Sequence, residues 1–276
     1  MTRLYNRILK EGKIPSEWRG AIVVPIFKKG DRENLANYRG ISLLNTGYKI
    51  FAKIITKKLE EKLDGKILEC QNGFRKGRSC IDAAFATKLI IEKRREFNLE
   101  THICFIDYEK AYDRINRGKL IEILEEHDIP RKILRIIQDI YTNNNIRVKT
   151  GEKLSSIETI NTGVRQGCPM SCILFNVYIN EVIEKWLEVN RGGGIALSQT
   201  TTLETLLFAD DQVIFASNED ELQRGVYSLN RIATDYNMKI SENKTKTMAF
   251  QGREPVRSKI VINGKIIEQT AEFNYL

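Results

Sequence analysis

Apolar residues recur every three or four positions between Asn45 and Leu63, and the lysines of this stretch lie mostly outside the stripe. The stripe consists of Tyr48, Phe51, Ala52, Ile55, Leu59 and Leu63. Such spacing predicts an α-helix with one buried face. Further helices are predicted at about 80–95, 117–127, 131–142, 171–187 and 220–238.

Short, strongly apolar runs predict strands. One run, Ile103–Ile106, ends at Asp107, and two more flank an acidic connection between Leu206 and Ala216. Other strands are predicted near 21–27, 146–149, 157–161, 246–250, 259–262 and 265–268. Because strands, hairpins and helices alternate without a regular βαβ repeat, the pattern predicts an α+β fold.

The predicted hairpin at 206–216 carries adjacent carboxylates, Asp210 and Asp211, between two apolar runs. Adjacent negative charges repel, and no Lys or Arg occurs from Gly192 to Gln223. A divalent cation or a basic residue distant in sequence must therefore offset this charge, unless the turn is simply exposed to water.

Asp107 repeats this arrangement, because it ends an apolar strand and residues 101–109 contain no Lys or Arg. A carboxylate at a strand end together with a pair at a hairpin tip is how several polymerase folds build a two-metal site. Hard oxygen ligands suit Mg²⁺, and two ions can clamp the attacking and leaving oxygens of an in-line displacement. The alternative is an acidic turn and one unrelated surface Asp.

Composition and charge narrow the class of protein. The hydrophobic content of 42% argues against disorder, no apolar run approaches the ~20 residues that span a bilayer, and Met1–Arg7 lacks the apolar core of a secretory signal. We therefore expect an intracellular protein. The net charge of +8 lies in residues 1–66, which hold 15 Lys and Arg against 7 Asp and Glu. This basic segment either contacts phosphates or is merely solvated.

Seven motifs in fixed order resemble one family, the reverse transcriptase domain of non-LTR (LINE-type) retrotransposons, and more distantly the group II intron enzymes. They are Ala21–Gly30 (AIVVPIFKKG), Asn37–Leu44 (NYRGISLL), Gln71–Ser79 (QNGFRKGRS), Phe105–Asp113 (FIDYEKAYD), Gly163–Ser171 (GVRQGCPMS), Phe208–Asp211 (FADD) and Asn243–Thr245 (NKT). The resemblance extends from about Ile14 to Leu276.

The resemblance implies a set of catalytic residues. Asp107, Asp210 and Asp211 match the metal-binding carboxylates, with the backbone carbonyl of Tyr108 as a further ligand, and two Mg²⁺ ions, which Mn²⁺ can replace, are the implied cofactor. Lys244 matches a lysine that protonates departing pyrophosphate.

The resemblance also implies residues that bind the nucleotide and the nucleic acid. Tyr112 matches the aromatic residue beneath the incoming sugar, which would exclude a 2′-hydroxyl, and Gln166 and Gly167 match the segment against nucleotide and template. Arg39, with either Lys28 or Lys29, matches the triphosphate grip. Nucleic-acid contacts are implied for Arg75, Lys76 and Arg78.

The implied architecture is the fingers and palm of a right-hand polymerase, the palm being an antiparallel sheet backed by helices. We predict fingers at 1–100, a first palm strand at 101–116, connecting helices and strands at 117–157, and palm at 158–276. Because the chain stops inside the motif that forms the primer grip, we expect the thumb to be largely absent.

The implied function is RNA-directed DNA synthesis, the transfer of a deoxynucleotide onto a primer 3′-hydroxyl. The implied partners are an RNA template, a DNA primer and deoxynucleoside triphosphates, and mobility would require a nuclear stage. Two alternatives stay open, a remnant that binds nucleic acid without catalysis and an intron maturase.

Overall fold

The computed structural model describes residues 1–275, apart from the side chain of Ala36. Its α-helices are α1 (Thr2–Glu11), α2 (Thr46–Leu63), α3 (Cys80–Glu96), α4 (Ala111–Arg114), α5 (Arg117–Glu126), α6 (Arg131–Tyr141), α7 (Ser171–Val189) and α8 (Glu219–Asp235). Short 3₁₀ turns lie at Ser16–Trp18 and Leu35–Asn37.

The strands alternate with these helices along the chain. They are β1 (Gly20–Phe27), β2 (Tyr38–Leu43), β3 (Glu100–Ile106), β4 (Asn145–Thr150), β5 (Lys153–Leu154), β6 (Glu158–Thr159), β7 (Ile195–Ala196), β8 (Thr202–Leu203), β9 (Thr205–Phe208), β10 (Asp211–Ala216), β11 (Lys246–Gln251), β12 (Glu254–Pro255), β13 (Val261–Ile262), β14 (Lys265–Ile266) and β15 (Glu268–Gln269).

The chain forms two compact units, each built from two segments. The first unit, which we call unit 1, comprises residues 1–66 and 112–177, and the second, unit 2, comprises residues 67–111 and 178–275. These units divide at other residues than the ranges predicted for fingers and palm, and the assignment of fingers and palm stays a prediction.

Unit 1 contains a sheet in the order β2-β1-β4-β5, with β6 also paired to β4. Strand β1 is antiparallel to β2 and parallel to β4. Helix α2 buries the stripe predicted from its periodicity, with Tyr48, Phe51 and Ile55 fully inaccessible to solvent. The helix begins where the Asn45 side chain accepts hydrogen bonds from backbone N–H groups of the first turn, a cap that contributes about 1 kcal/mol.

Unit 2 is built on a sheet in the order β12-β11-β3-β10-β9, in which these neighbouring strands are antiparallel. Strand β15 adds to β11 in parallel. One face of the sheet forms a hydrophobic core that includes Ile103, Phe105, Val213 and Phe215. Helix α8 packs against β3 and β10. The predicted mixed α+β fold is confirmed.

Several elements escape the hydrophobic pattern, and helix α1 and strand β2 are the longest of them. Helix α1 buries only Tyr5 and Ile8 on its inner side, so the apolar stripe is too short to stand out. Strand β2 contains Arg39 and Gly40 and lacks clear alternation, and it is formed by antiparallel pairing with β1. Long-range pairing, which local sequence does not report, decides the second case.

Candidate active site

The acidic hairpin of unit 2 is tighter than its sequence suggests. Phe208 pairs with Asp211, so the connecting turn consists of Ala209 and Asp210, and Asp211 is already the first residue of β10. Ala209 has a φ of 57°, in the left-handed region where a residue with a side chain is uncommon. Asp211 is exposed and Asp210 is half-buried, so both carboxylates lie at the end of the sheet and not in its core.

Asp107 lies at the same end of the sheet. The last registered pair between β3 and β10 joins Ile106 to Gln212, and one further step along this register brings Asp107 level with Asp211. The backbone around Asp107 is fixed by the segment before β11, because its N–H donates to the Thr245 hydroxyl at 3.3 Å and its carbonyl accepts from the Ser241 N–H at 2.8 Å. Asp107, Asp210 and Asp211 therefore lie at the same end of the unit 2 sheet, where β3 ends and β10 begins, and we call this end the acidic edge.

The pKa of Tyr108 is affected by the acidic residues at this end of the sheet. Its side chain is buried and its hydroxyl donates to Gln212 Oε1 at 2.8 Å. Burial raises the pKa of Tyr108 above its usual value, and the negative charge of Asp210 raises it further. The Tyr108 hydroxyl therefore lies within electrostatic range of Asp210.

Lys244 approaches the acidic edge, with its Nζ 3.6 Å from Asp107 Oδ1. Its side chain is two-thirds exposed, so the pair is largely screened by water. The sequence pattern requires either a divalent cation or a basic residue distant in sequence to offset the carboxylate charge. Lys244 is such a basic residue, and it contacts Asp107, one of the three predicted metal-binding carboxylates. Its role as a proton donor stays a prediction.

The donor set at this edge consists of carboxylate oxygens, which suit Mg²⁺ better than a soft metal. Within residues 1–275, no group of three or more His, Cys, Asp or Glu side chains converges closely enough to hold a metal ion. The residue types fit a hard divalent cation, while the identity of the ion and the convergence of the three carboxylates on it belong to the proposal below.

Tyr112 lies in unit 1, in the short helix α4. Its ring stacks on that of Phe175 with centroids 4.4 Å apart and planes 11° from parallel, and its carbonyl accepts from the Val164 N–H at 2.9 Å. The residue as a whole is half-buried. Phe175 holds its orientation.

The loop of Gln166 and Gly167 packs against two other parts of unit 1. Gln166 Nε2 donates to Asp113 Oδ1 at 3.0 Å, and the Gln166 carbonyl accepts from the Ser42 N–H at 2.8 Å. Gly167 has a φ of 103°, and a Cβ there would lie 3.0 Å from the Ser42 carbonyl oxygen. Glycine is therefore required at this position for the loop to approach β2.

Arg165, beside this loop, is a structural residue of the site region that the sequence pattern does not reveal. It is 3% exposed, and its guanidinium donates to the carbonyls of Trp18, Arg19 and Ile140 and to the amide oxygen of Asn144, over 2.8–3.1 Å. It also lies over the Tyr48 ring. A buried guanidinium that holds backbone carbonyls leaves no periodic signal, and only its place inside a motif could have drawn attention to it.

Lys28, Lys29 and Arg39 are all exposed in unit 1. Arg39 pairs with Ile26, and the Lys28 N–H donates to the Asn37 carbonyl at 2.9 Å, which continues the β1–β2 ladder by one pair beyond Phe27 and Tyr38. Because side chains alternate between the faces of a sheet, Lys28 shares a face with Arg39, whereas Lys29 lies in the bend beyond the ladder.

Arg75 and Arg78 serve the structure of their own loop in unit 2. Both pair with Glu69, and the hydrogen bonds from Arg78 and Arg75, assisted by their charges, hold the pKa of that carboxyl below its usual value. Arg75 also donates to the carbonyls of Leu68 and Gln71. Lys76 is exposed between them. The nucleic-acid contacts expected of Arg75, Lys76 and Arg78 stay a prediction.

A solved structure defines the class of fold. The structure of apo telomerase from Candida tropicalis, truncated from its C-terminal domain, superimposes with a TM-score of 0.62 at 17% identity, covering 96% of this chain and 58% of that one. At such low identity the likeness concerns the fold alone, which this chain shares with that telomerase structure.

The sequence comparison identifies the family. Residues 26–276 match the family described as reverse transcriptase (RNA-dependent DNA polymerase), and the chain belongs to this family. The resemblance to retrotransposon reverse transcriptases is thereby confirmed.

Two relatives are much longer than this chain. It is 30% identical to the transposon TX1 uncharacterized 149 kDa protein of Xenopus laevis, over 80% of this chain and 17% of that protein. It is 25% identical to a probable RNA-directed DNA polymerase from transposon BS of Drosophila melanogaster, over 99% of this chain and 30% of that protein. The chain thus spans less than a third of the length of either relative.

No helix among residues 1–275 combines the length and apolar character that a membrane crossing requires. The intracellular location and the nuclear stage expected from the sequence stay predictions.

Proposed function

We propose that this chain is the catalytic core of an RNA-directed DNA polymerase encoded by a non-LTR retrotransposon. The observation that carries the proposal is the shared sheet edge of unit 2, where the register of β3 and β10 brings Asp107 level with Asp211, next to the turn that contains Asp210. Family membership supports the same chemistry, and its retrotransposon relatives favour this branch over an intron maturase.

Asp107, Asp210 and Asp211 would hold two Mg²⁺ ions, with the Tyr108 carbonyl as a further ligand. When bound, such ions lower the pKa of the primer 3′-hydroxyl and neutralise charge on the phosphates. Lys244 places its Nζ at this end of the sheet, and we propose that it donates a proton to the departing pyrophosphate. Its contact with Asp107 supports that assignment.

Residues of unit 1 would bind the incoming deoxynucleotide. Tyr112, whose ring is braced by Phe175, would press against the sugar and exclude a 2′-hydroxyl. The main chain of Gln166 and Gly167 would contact the base pair between nucleotide and template, since glycine lets a ligand approach closely.

Arg39 would grip the triphosphate together with Lys28. The register of β1 and β2 favours Lys28 over Lys29, because it puts Lys28 on the face of Arg39. Arginine binds phosphate through two parallel hydrogen bonds and lysine through a point charge, so the pair supplies complementary contacts.

The partners would be an RNA template and a DNA primer, bound mainly through phosphates and sugars. The basic segment 1–66 supports this, because lysines and arginines that neutralise phosphates give affinity that falls with salt and depends little on sequence.

The test is primer extension by the 276-residue chain on a primed RNA template with Mg²⁺, with Mn²⁺ and with a chelator. We expect deoxynucleotide incorporation with either metal and none with the chelator. RNA binding without incorporation under either metal would contradict the proposal and identify a remnant that binds nucleic acid only.

A further inference from the structure

Residues 70–72 of unit 2 run alongside the acidic hairpin. The Leu207 N–H donates to the Cys70 carbonyl and the Asn72 N–H donates to the Leu207 carbonyl, both at 2.8 Å. Gln71 thereby forms a parallel bridge with Leu207 at the edge of β9. The segment is held by backbone hydrogen bonds two residues before the turn of the hairpin.

The side chain of Gln71 forms hydrogen bonds with the backbone of that turn. It is 2% exposed, its Oε1 accepts from the Ala209 N–H at 2.9 Å, and its Nε2 donates to the Ala209 carbonyl at 3.2 Å. The same Oε1 accepts from the Gly73 N–H at 2.7 Å. One carboxamide thus binds both polar backbone groups of the residue that precedes Asp210.

The backbone of Ala209 adopts a conformation that such contacts can stabilise. Its φ of 57° is unfavourable for an amino acid with a Cβ. The Gln71 carboxamide supplies two hydrogen bonds in that conformation, so a contact from a distant part of the chain holds the turn.

The neighbours of Gln71 are shaped to the same turn. A Cβ on Gly73 would lie 2.2 Å from the Ala209 nitrogen, so only glycine permits this approach. Phe74, next along the chain, places its ring 6.4 Å from that of Phe208. The segment Gln71–Phe74 therefore fits the backbone on the N-terminal side of Asp210.

We infer that Gln71 is a positioning residue for the acidic turn, because it sets the backbone from which the Asp210 carboxylate projects. Its effect on metal binding rests on the proposed function, whereas its effect on the turn does not. A carboxamide is required because the turn presents one donor and one acceptor, and a carboxylate at this position could only accept.

The chain contains a matched control for this contact. Gln223 of α8 makes the same pair of bonds to Val261, whose N–H donates to Oε1 at 2.7 Å and whose carbonyl accepts from Nε2 at 3.1 Å. The strand it holds, β13, carries none of the three acidic site residues. Gln223→Met removes an equivalent carboxamide from unit 2 without touching the acidic edge.

The first measurement is amide hydrogen exchange of the 276-residue chain without metal, in peptides that cover 205–212. Gln71→Met keeps the length of the side chain and removes its hydrogen bonds, so we expect exchange in this stretch to accelerate by about tenfold or more. Gln223→Met should leave it unchanged. Wild-type exchange in Gln71→Met, or equal acceleration in both variants, would overturn the inference.

The second measurement is Mn²⁺ binding, followed by the electron paramagnetic resonance signal of the free ion. Groups that orient metal ligands affect affinity by about 10–100-fold, so Gln71→Met should weaken binding by at least about tenfold, while Gln223→Met stays within about twofold of wild type. Wild-type affinity in Gln71→Met would overturn the metal part of the inference.

Gln71→Glu separates hydrogen bonding from packing, because it keeps the two acceptor contacts and loses the donor. A carboxylate oxygen would then face the Ala209 carbonyl at a buried position, so we expect exchange at least as fast as in Gln71→Met, and wild-type exchange would contradict the assigned contacts. If wild-type chain binds no more Mn²⁺ than Asp210→Ala, the proposed function fails, while the exchange result still decides whether Gln71 holds the turn.

Discussion

The buried guanidinium of Arg165 offers a quantitative test of how unit 1 holds its loop. Arg165→Met keeps an unbranched side chain of similar reach and removes the donors to three backbone carbonyls and to the Asn144 amide. Each acceptor left without its partner costs roughly 1 kcal/mol or more, which gives a loss of about 4 kcal/mol in the free energy of unfolding. This is well above the usual effect of a single substitution.

Urea denaturation followed by tryptophan fluorescence measures this loss, and Trp18 lies in the same unit as Arg165. For a urea m-value of about 3 kcal/mol/M, the midpoint should fall by about 1.3 M. Arg135→Met, at an exposed position of α6 in the same unit, should change stability by no more than about 0.5 kcal/mol.

A loss below about 1 kcal/mol in Arg165→Met would refute the reasoning, since water or rearranged side chains would then satisfy the four acceptors. A loss equal to that of Arg135→Met would refute it as well, because the effect would not depend on burial.

Two further predictions concern the nucleotide. Tyr112→Ala should raise ribonucleotide relative to deoxynucleotide incorporation by about tenfold or more, because a clash worth 1–3 kcal/mol is removed, whereas Tyr112→Phe keeps the ring and should discriminate like wild type; unchanged sugar selectivity in the alanine variant would refute the assignment. Lys28→Ala should raise the KM for deoxynucleotides roughly tenfold, as expected for the loss of one charged contact, with little change for Lys29→Ala. Steady-state kinetics distinguish the lysines, and a larger effect at Lys29 would contradict the register argument.

Periodicity and apolar runs predict much of the secondary structure. The apolar stripe of α2 is buried, as its spacing predicts. The strand before Asp107 is β3, Glu100–Ile106, and all of its residues except Glu100 are buried. These elements are predictable because burial of a face imposes its period on the sequence. Strand β2 has no such signal, since its position depends on pairing with β1.

The acidic turn shows where local reasoning stops. The sequence favours a connection through the two aspartates, yet the turn lies at Ala209 and Asp210, with Ala209 in a backbone conformation that its side chain disfavours. Gln71, which is distant in sequence, stabilises that conformation through its carboxamide. Local propensity is overridden here by a tertiary contact, and only the folded arrangement reveals it.

The most direct test of the central claim compares Asp210→Ala with Asp220→Ala in primer extension on an RNA template. Asp220 is an exposed carboxylate in the first turn of α8, so its loss removes the same charge from unit 2 away from the acidic turn. Loss of a metal ligand that contributes several kcal/mol should lower incorporation by about 10³-fold or more in Asp210→Ala, while Asp220→Ala stays near wild type. Incorporation by Asp210→Ala within about tenfold of wild type would contradict a polymerase centre at this sheet edge.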